Sequence, residues 1–111
     1  MKIVVLIFGG TSVGTIEKIK KIADIIHSFK KKNYKIIVVS SAMSGVTNDL
    51  VQKSKKISEN FSEAEYDVLV SSGEQIACSL IAGRLIHKGF KSRSWLAWQI
   101  PIFTKGIHKN S

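Results

Sequence analysis

The sequence predicts an α/β fold: a three-layer αβα sandwich around a mainly parallel sheet, and in this chain an incomplete one. Three observations lead there. Two continuous apolar, β-branched runs fall at residues 3–8 and 36–39, an amphipathic segment of helical period lies between them, and each run ends in a small, polar loop. Strand, helix and strand within about forty residues make a βαβ unit with a right-handed crossover.

The elements follow in order. Ile3-Val4-Val5-Leu6-Ile7-Phe8 is apolar throughout, as suits a strand buried on both faces of a parallel sheet. From Thr15 to about Lys31 apolar residues recur at Ile16, Ile19, Ile22, Ala23, Ile26 and Phe29, with lysines opposite, so a helix is predicted. Lys32-Asn33-Tyr34 turns the chain into the second strand, Ile36-Ile37-Val38-Val39, which ends at Ser40-Ser41. Residues 42–49 read as a polar loop, and Leu50, Val51, Ser54 and Ile57 as a helix. Ser62-Glu63-Ala64-Glu65 has the pattern of a capping box and opens a segment through Val68 and Leu69, which Ser71-Ser72-Gly73-Glu74 interrupts. Ile76, Ala77, Leu80, Ile81 and Leu85 restore helical spacing, and Gly89 is placed to end that helix. Residues 91–104 read as a short strand plus irregular chain containing Pro101.

Composition narrows the function classes. The 111 residues are 44% hydrophobic, which is ordinary for a globular domain. No apolar run approaches the roughly 20 residues needed to cross a bilayer. The apolar run after Met1-Lys2 is short for a signal peptide, and Gly9-Gly10 sits in a loop-forming context rather than at a small-residue cleavage site. Cys78 is the sole cysteine, so no internal disulfide exists and a cytoplasmic setting is expected. The net charge of +9 comes largely from lysine blocks at 18–21, 30–32 and 53–56, read as solvated faces. Aromatics do not interleave with them as a base-stacking surface requires, so nucleic acid is not an expected partner.

Ligands of parallel sheets sit beyond the carboxyl ends of the strands, where loops 9–15 and 41–49 both lie. Gly9 and Gly10 permit close backbone approach, Thr11 and Ser12 bring hydroxyls, and the following helix points free N–H groups the same way. A phosphate is the natural guest; a tight turn that binds nothing is the alternative. The spacing excludes two phosphate motifs. A Walker loop needs Lys-Ser/Thr where Thr15-Ile16 stands, and Gly9, Gly10 and Gly14 are misplaced for the dinucleotide fingerprint.

Taken together, FGGTSVG after the first strand, VVSSAMSGVTNDL after the second, LVSSGEQIACSLIAGRL later and the Trp98-Gln99 pair resemble the N-terminal part of the aspartokinases, within the amino acid kinase family. The resemblance implies phosphoryl transfer from ATP, with Mg2+, to the β-carboxylate of L-aspartate, the entry to lysine, threonine, methionine and diaminopimelate synthesis. It implies that Phe8, Gly9, Gly10, Thr11 and Ser12 meet the nucleotide. Ser41 would hydrogen-bond the transferring group, Thr47 would contact aspartate, and Glu74 would pair with its α-ammonium. Each has a plainer competing role: Ser41 as a strand end, Thr47 as a helix N-cap, Glu74 as a first-turn acid. His27, His87, His108 and Cys78 show no metal-ligand spacing, so no metal site is expected from side chains.

The pattern breaks in places. The family motif begins Lys-Phe-Gly-Gly-Thr-Ser, and this chain has Ile7 where the lysine belongs. Loss of such a cation commonly costs on the order of a thousandfold in rate. Lys2 is at the far end of the strand, and no lysine of the loop itself replaces the missing one. Ala97 and Pro101 stand where glycine is usual, and Lys105 where an acid is. The remaining kinase domain and the regulatory ACT domains are not in this sequence. The expectation is therefore a decayed aspartokinase fragment, inactive alone, with exposed strand faces and edges. The alternatives are a non-catalytic binding remnant, or a subunit that pairs with a complementing kinase half or with its own copies.

Overall fold

The structure, a computed structural model, describes residues 2–100 together with Phe103 and Lys105. Its order is β1 (Ile3–Phe8), α1 (Ile16–Lys31), β2 (Lys35–Ser40), α2 (Val46–Ile57), α3 (Glu63–His87) and a 3-10 turn, Ala97–Gln99. β1 and β2 pair in parallel, Ile3 opposite Lys35 and Phe8 opposite Ser40, so both carboxyl ends emerge at one edge. This is the predicted βαβ unit.

α1 forms where the apolar period demanded it. The Thr15 hydroxyl accepts from the Lys18 N–H (3.2 Å) as N-cap, and Ile19, Ile22, Ala23 and Ile26 are buried along one stripe. That stripe, with Val13 from the first loop and Ile81 and Leu85 from α3, is the core; Leu6, Phe8, Ile36 and Val38 press on it from the sheet. Burying an isoleucine or leucine contributes about 1.5–3 kcal/mol, so these few contacts supply most of the folding force. Asp24 of α1 accepts from Lys88, just past α3, at 2.7 Å and ties the two helices together at the surface.

The opposite sheet face is bare. Ile3, Val5, Ile7, Ile37 and Val39 alternate with the core-facing residues and are between 48% and 76% exposed. β1 is therefore covered on one face only, although its apolar run is that of a strand covered on both. The described residues build two layers of the sandwich, the sheet and the helices on one side of it. Exposed apolar faces and strand edges were expected of so short a chain, and this is where they lie.

Three boundaries differ from expectation. Residues 46–49 are helix, because Gly45 takes φ +84°, a left-handed conformation, and turns the chain directly into α2. Thr47 therefore lies in the first turn and Gly45 is the N-cap. α3 runs unbroken through residues 71–74. The Ser71 and Ser72 hydroxyls donate back to the carbonyls of Val68 (3.1 Å) and Leu69 (2.6 Å), which satisfies them within the helix. Residues 91–96 are irregular and lead into the 3-10 turn, so the described part of 91–104 contains no strand. Pro101 and Thr104 lie outside the described residues.

The ends of α3 match the sequence. The Ser62 hydroxyl accepts from the Glu65 N–H at 3.4 Å. Gly89 has φ +93°, its N–H donates to the Ile86 carbonyl (3.0 Å), and the Phe90 N–H donates to the Leu85 carbonyl (3.0 Å), a Schellman closure.

The two glycines inside α3 play opposite parts. A Cβ on Gly73 would lie 3.0 Å from Ala42 Cβ and 3.2 Å from Val46 Cγ1, whereas one on Gly83 would meet nothing within 4 Å. Gly73→Val should lower the urea-measured unfolding free energy by about 1–3 kcal/mol through overpacking. Gly83→Ala should raise it by up to ~1 kcal/mol through helix propensity. The lysine hydrogen bond and charge of Lys88 hold Asp24 below the usual carboxylate range. A carboxyl that titrates lower when folded stabilises at neutral pH, and its contribution is lost as pH falls through the folded value. Asp24→Asn should thus lower the urea midpoint at pH 7 and leave it unchanged at about pH 2.

Candidate functional site

The two carboxyl-edge loops fold onto each other. The first winds back on itself: the Ser12 and Val13 N–H groups donate to the Gly9 carbonyl (3.0 and 3.3 Å), and the Gly14 N–H to the Thr11 carbonyl (3.4 Å). The Gly10 and Thr11 amides stand outside these bonds. The loops meet where the Ser44 N–H donates to the Gly10 carbonyl (3.1 Å) and the Ser41 N–H to the Phe8 carbonyl (3.0 Å). Space explains the second glycine: a Cβ at Gly10 would come within 3.1 Å of the Ala42 carbonyl oxygen.

α3 completes the grouping. Gly73 lets the helix lie directly on Ala42, Val46 and Leu50, so the second loop and the start of α2 rest against it. Glu74, the next residue, is exposed. One turn on, Cys78 is half-buried. Burial pushes its thiol up, the Glu74 carboxylate adds to that, and a hydrogen bond from the Ser40 backbone opposes it. α3 packs against β2, with Gly73 against Ala42 just past the strand, so the Glu74–Cys78 turn lies beside the carboxyl end of β2.

The structure thus brings Phe8, Gly9, Gly10, Ser41 and Ser44 into one cluster and lays the Gly73-Glu74 turn against its second loop. Thr11 and Ser12 are exposed on the outer side of the first loop, and Thr47 is exposed in the first turn of α2. Ile7 lies opposite Val39 and is 76% exposed on the bare face, at its carboxyl end. Position 7 therefore puts a branched hydrocarbon at the carboxyl edge of the bare face.

One group was missed in the sequence. Lys18 Nζ donates to the Thr11 carbonyl at 3.0 Å. With Lys21, Phe8, Thr11, Ser12, Ile22 and Ile25 it lines a shallow concavity of about 430 Å³ on the α1 side of the loop. The signal was present: a helix capped by Thr15 must put Lys18 in its first turn, next to the loop.

A two-layer α/β unit with glycine-rich and serine-rich loops meeting at the carboxyl edge of a parallel sheet has its loops where the ligand sites of open α/β sheets lie. The sequence profile of the amino acid kinase family matches residues 2–111, and the chain belongs to that family. Aspartokinases are among its relatives. It is 48% identical over 114 residues to the aspartokinase of Rickettsia felis, covering 100% of this chain and 28% of that one. It is 41% identical to aspartokinase 2 of Bacillus subtilis, of which it covers 27%. Among solved structures it resembles an aspartate kinase from Synechocystis, with a TM-score of 0.76 and 38% identity over 80% of this chain and 15% of that one. The chain spans about a quarter of the length of the curated relatives it matches.

Proposed function

We propose that this chain forms the phosphate-facing and aspartate-facing part of an aspartokinase-type site that does not turn over on its own. The observation that supports this most is the Gly10–Ser44 junction, which joins the two edge loops while α3 is seated on the second through Gly73. In the family reaction a β-carboxylate oxygen of L-aspartate attacks the γ-phosphorus of ATP. The bond to the bridging oxygen breaks, and ADP leaves with that electron pair. Two anions meet in such a step, so the protein's work is positioning and charge neutralisation.

In this proposal the Gly9 and Gly10 backbone approaches the phosphates, with Phe8, Thr11 and Ser12 beside it. The Ser41 hydroxyl donates to the transferring group. Thr47 and Glu74 hold aspartate, Glu74 through its α-ammonium. A single aspartate molecule would have to bridge from the exposed helix turns to the loop, and Glu74 and Thr47 belong to the two helices that flank the second loop. Mg2+ is held in such sites largely by the phosphates with one or two carboxylates. Among the described residues no group of three or more His, Cys, Asp or Glu makes a metal site, so no step is assigned to the ion. Among them, too, no helix is long and apolar enough to cross a membrane. A cytoplasmic setting belongs to the same proposal and draws support from the sequence, whose single cysteine leaves no internal disulfide framework.

Ile7 is the reason for silence. It offers neither charge nor donor where negative charge grows, and the bare face beside it lacks a covering layer. That bare face also supports a second reading, in which the chain is one subunit of a split kinase and acts only with a partner that covers the sheet.

Formation of aspartyl phosphate, trapped as the hydroxamate, separates these outcomes. The chain alone should give no ATP- and aspartate-dependent product. Ile7→Lys, co-expressed with the Rickettsia felis aspartokinase lacking its first quarter, should exceed the unsubstituted chain by roughly a hundredfold to a thousandfold. Turnover by the unsubstituted chain alone would refute the proposal. An Ile7→Lys complex that assembles yet stays silent would show that the site is lost beyond residue 7.

A further inference from the structure

The positive charge missing from residue 7 has a counterpart on the other side of the same loop. We propose that Lys18 and Lys21, with the Thr11 and Ser12 hydroxyls, form a cradle for a polyphosphate chain; this rests on the reading that the Gly9–Ser12 loop meets phosphate. Lys18 is exposed, and its ammonium is directed at the loop. Its contact with the Thr11 carbonyl (3.0 Å) spends one of three ammonium protons and holds the group at the loop, with two protons left to donate. Lys21 follows one turn along α1 and faces the same shallow, open concavity, which leaves a phosphate chain in contact with solvent on its outer side.

The charge there is uncompensated. Lys20, Lys53 and Lys88 each stand against a carboxylate, Glu17, Asp49 and Asp24, whereas Lys18 and Lys21 enter no ion pair among the described residues. Two unpaired cations beside two hydroxyls recognise a row of phosphate oxygens. Neither an adenine ring nor a ribose is required for that. The bare face and the cradle lie on opposite sides of the sheet, since Ile7 and Phe8 alternate. The cradle therefore attracts and anchors the phosphates, and it does not stand in place of a cation at residue 7 on the open face.

The test is titration of the isotope-labelled full chain with ATP, with inorganic tripolyphosphate and with adenosine, following the Gly10, Thr11 and Ser12 amides by NMR. ATP and tripolyphosphate should both move these amides and adenosine should not. The double variant K18M/K21M should weaken both ligands roughly tenfold or more. K18R/K21R should keep most of the binding, and K30M/K31M, remote from the loop, should stay within about twofold of the unsubstituted chain. Unchanged tripolyphosphate binding in K18M/K21M, with the loop amides still moving, would overturn the cradle and leave the phosphate-loop reading standing. An equal loss in K30M/K31M would overturn it in favour of diffuse attraction to a basic chain. If no phosphate ligand moves the loop amides in any of these proteins, or in Ile7→Lys, the phosphate-loop reading falls and the cradle with it.

Discussion

Parallel pairing of two strands forces their carboxyl ends to the same edge, and nearly everything of interest in this chain follows from that. With Phe8 opposite Ser40, the glycine-rich loop after β1 and the serine-rich loop after β2 have nowhere to go but toward each other. The Ser44 N–H to Gly10 carbonyl bond closes the gap, and glycine at position 10 is what lets the Ala42 carbonyl come so near. α1 is the connector that makes parallel pairing possible, and its buried isoleucines hold the sheet to the helices. Remove the register and the site residues scatter.

The same alternation that builds the core decides the fate of residue 7. Odd-numbered residues of β1 face away from α1, so position 7 ends an apolar stripe with Ile3 and Val5 on a face that nothing among the described residues covers. A lysine there would place an ammonium at the site's mouth, its stem lying along that stripe. The isoleucine extends the stripe instead. An amino acid kinase sequence spanning about a quarter of its aspartokinase relatives thus ends this stripe in a hydrocarbon on one side of the sheet, while Lys18 and Lys21 put charge on the other.

The fold was legible because its signals are local. Apolar runs gave both strands, the period of Ile19, Ile22, Ala23 and Ile26 gave α1, and Thr15, Ser62 and Gly89 marked helix ends by side-chain or backbone chemistry that works within four residues. What misled was chemistry with two outcomes. Ser71-Ser72-Gly73 reads as a break, yet serines can bond back to their own helix and a glycine can serve a neighbour; only the approach of Ala42 and Val46 reveals which applies. The continuous apolar run of β1 implied cover on both faces, which depends on chain that pairs from afar. The loops were recognised from their composition, whereas the Lys18–Thr11 contact needed the turn of α1 in space.

One-sided burial of the sheet is the central physical claim, and thiol accessibility measures it most directly. In a Cys78→Ser background, single cysteines at Val5, Ile37 and Val39 should react with a small thiol reagent at rates close to a free thiol, while cysteines at Leu6 and Val38 should react several times more slowly. A two-residue alternation of rates along both strands is the predicted result. Equal protection on both faces, or a pattern without that alternation, would contradict the fold on which the site depends.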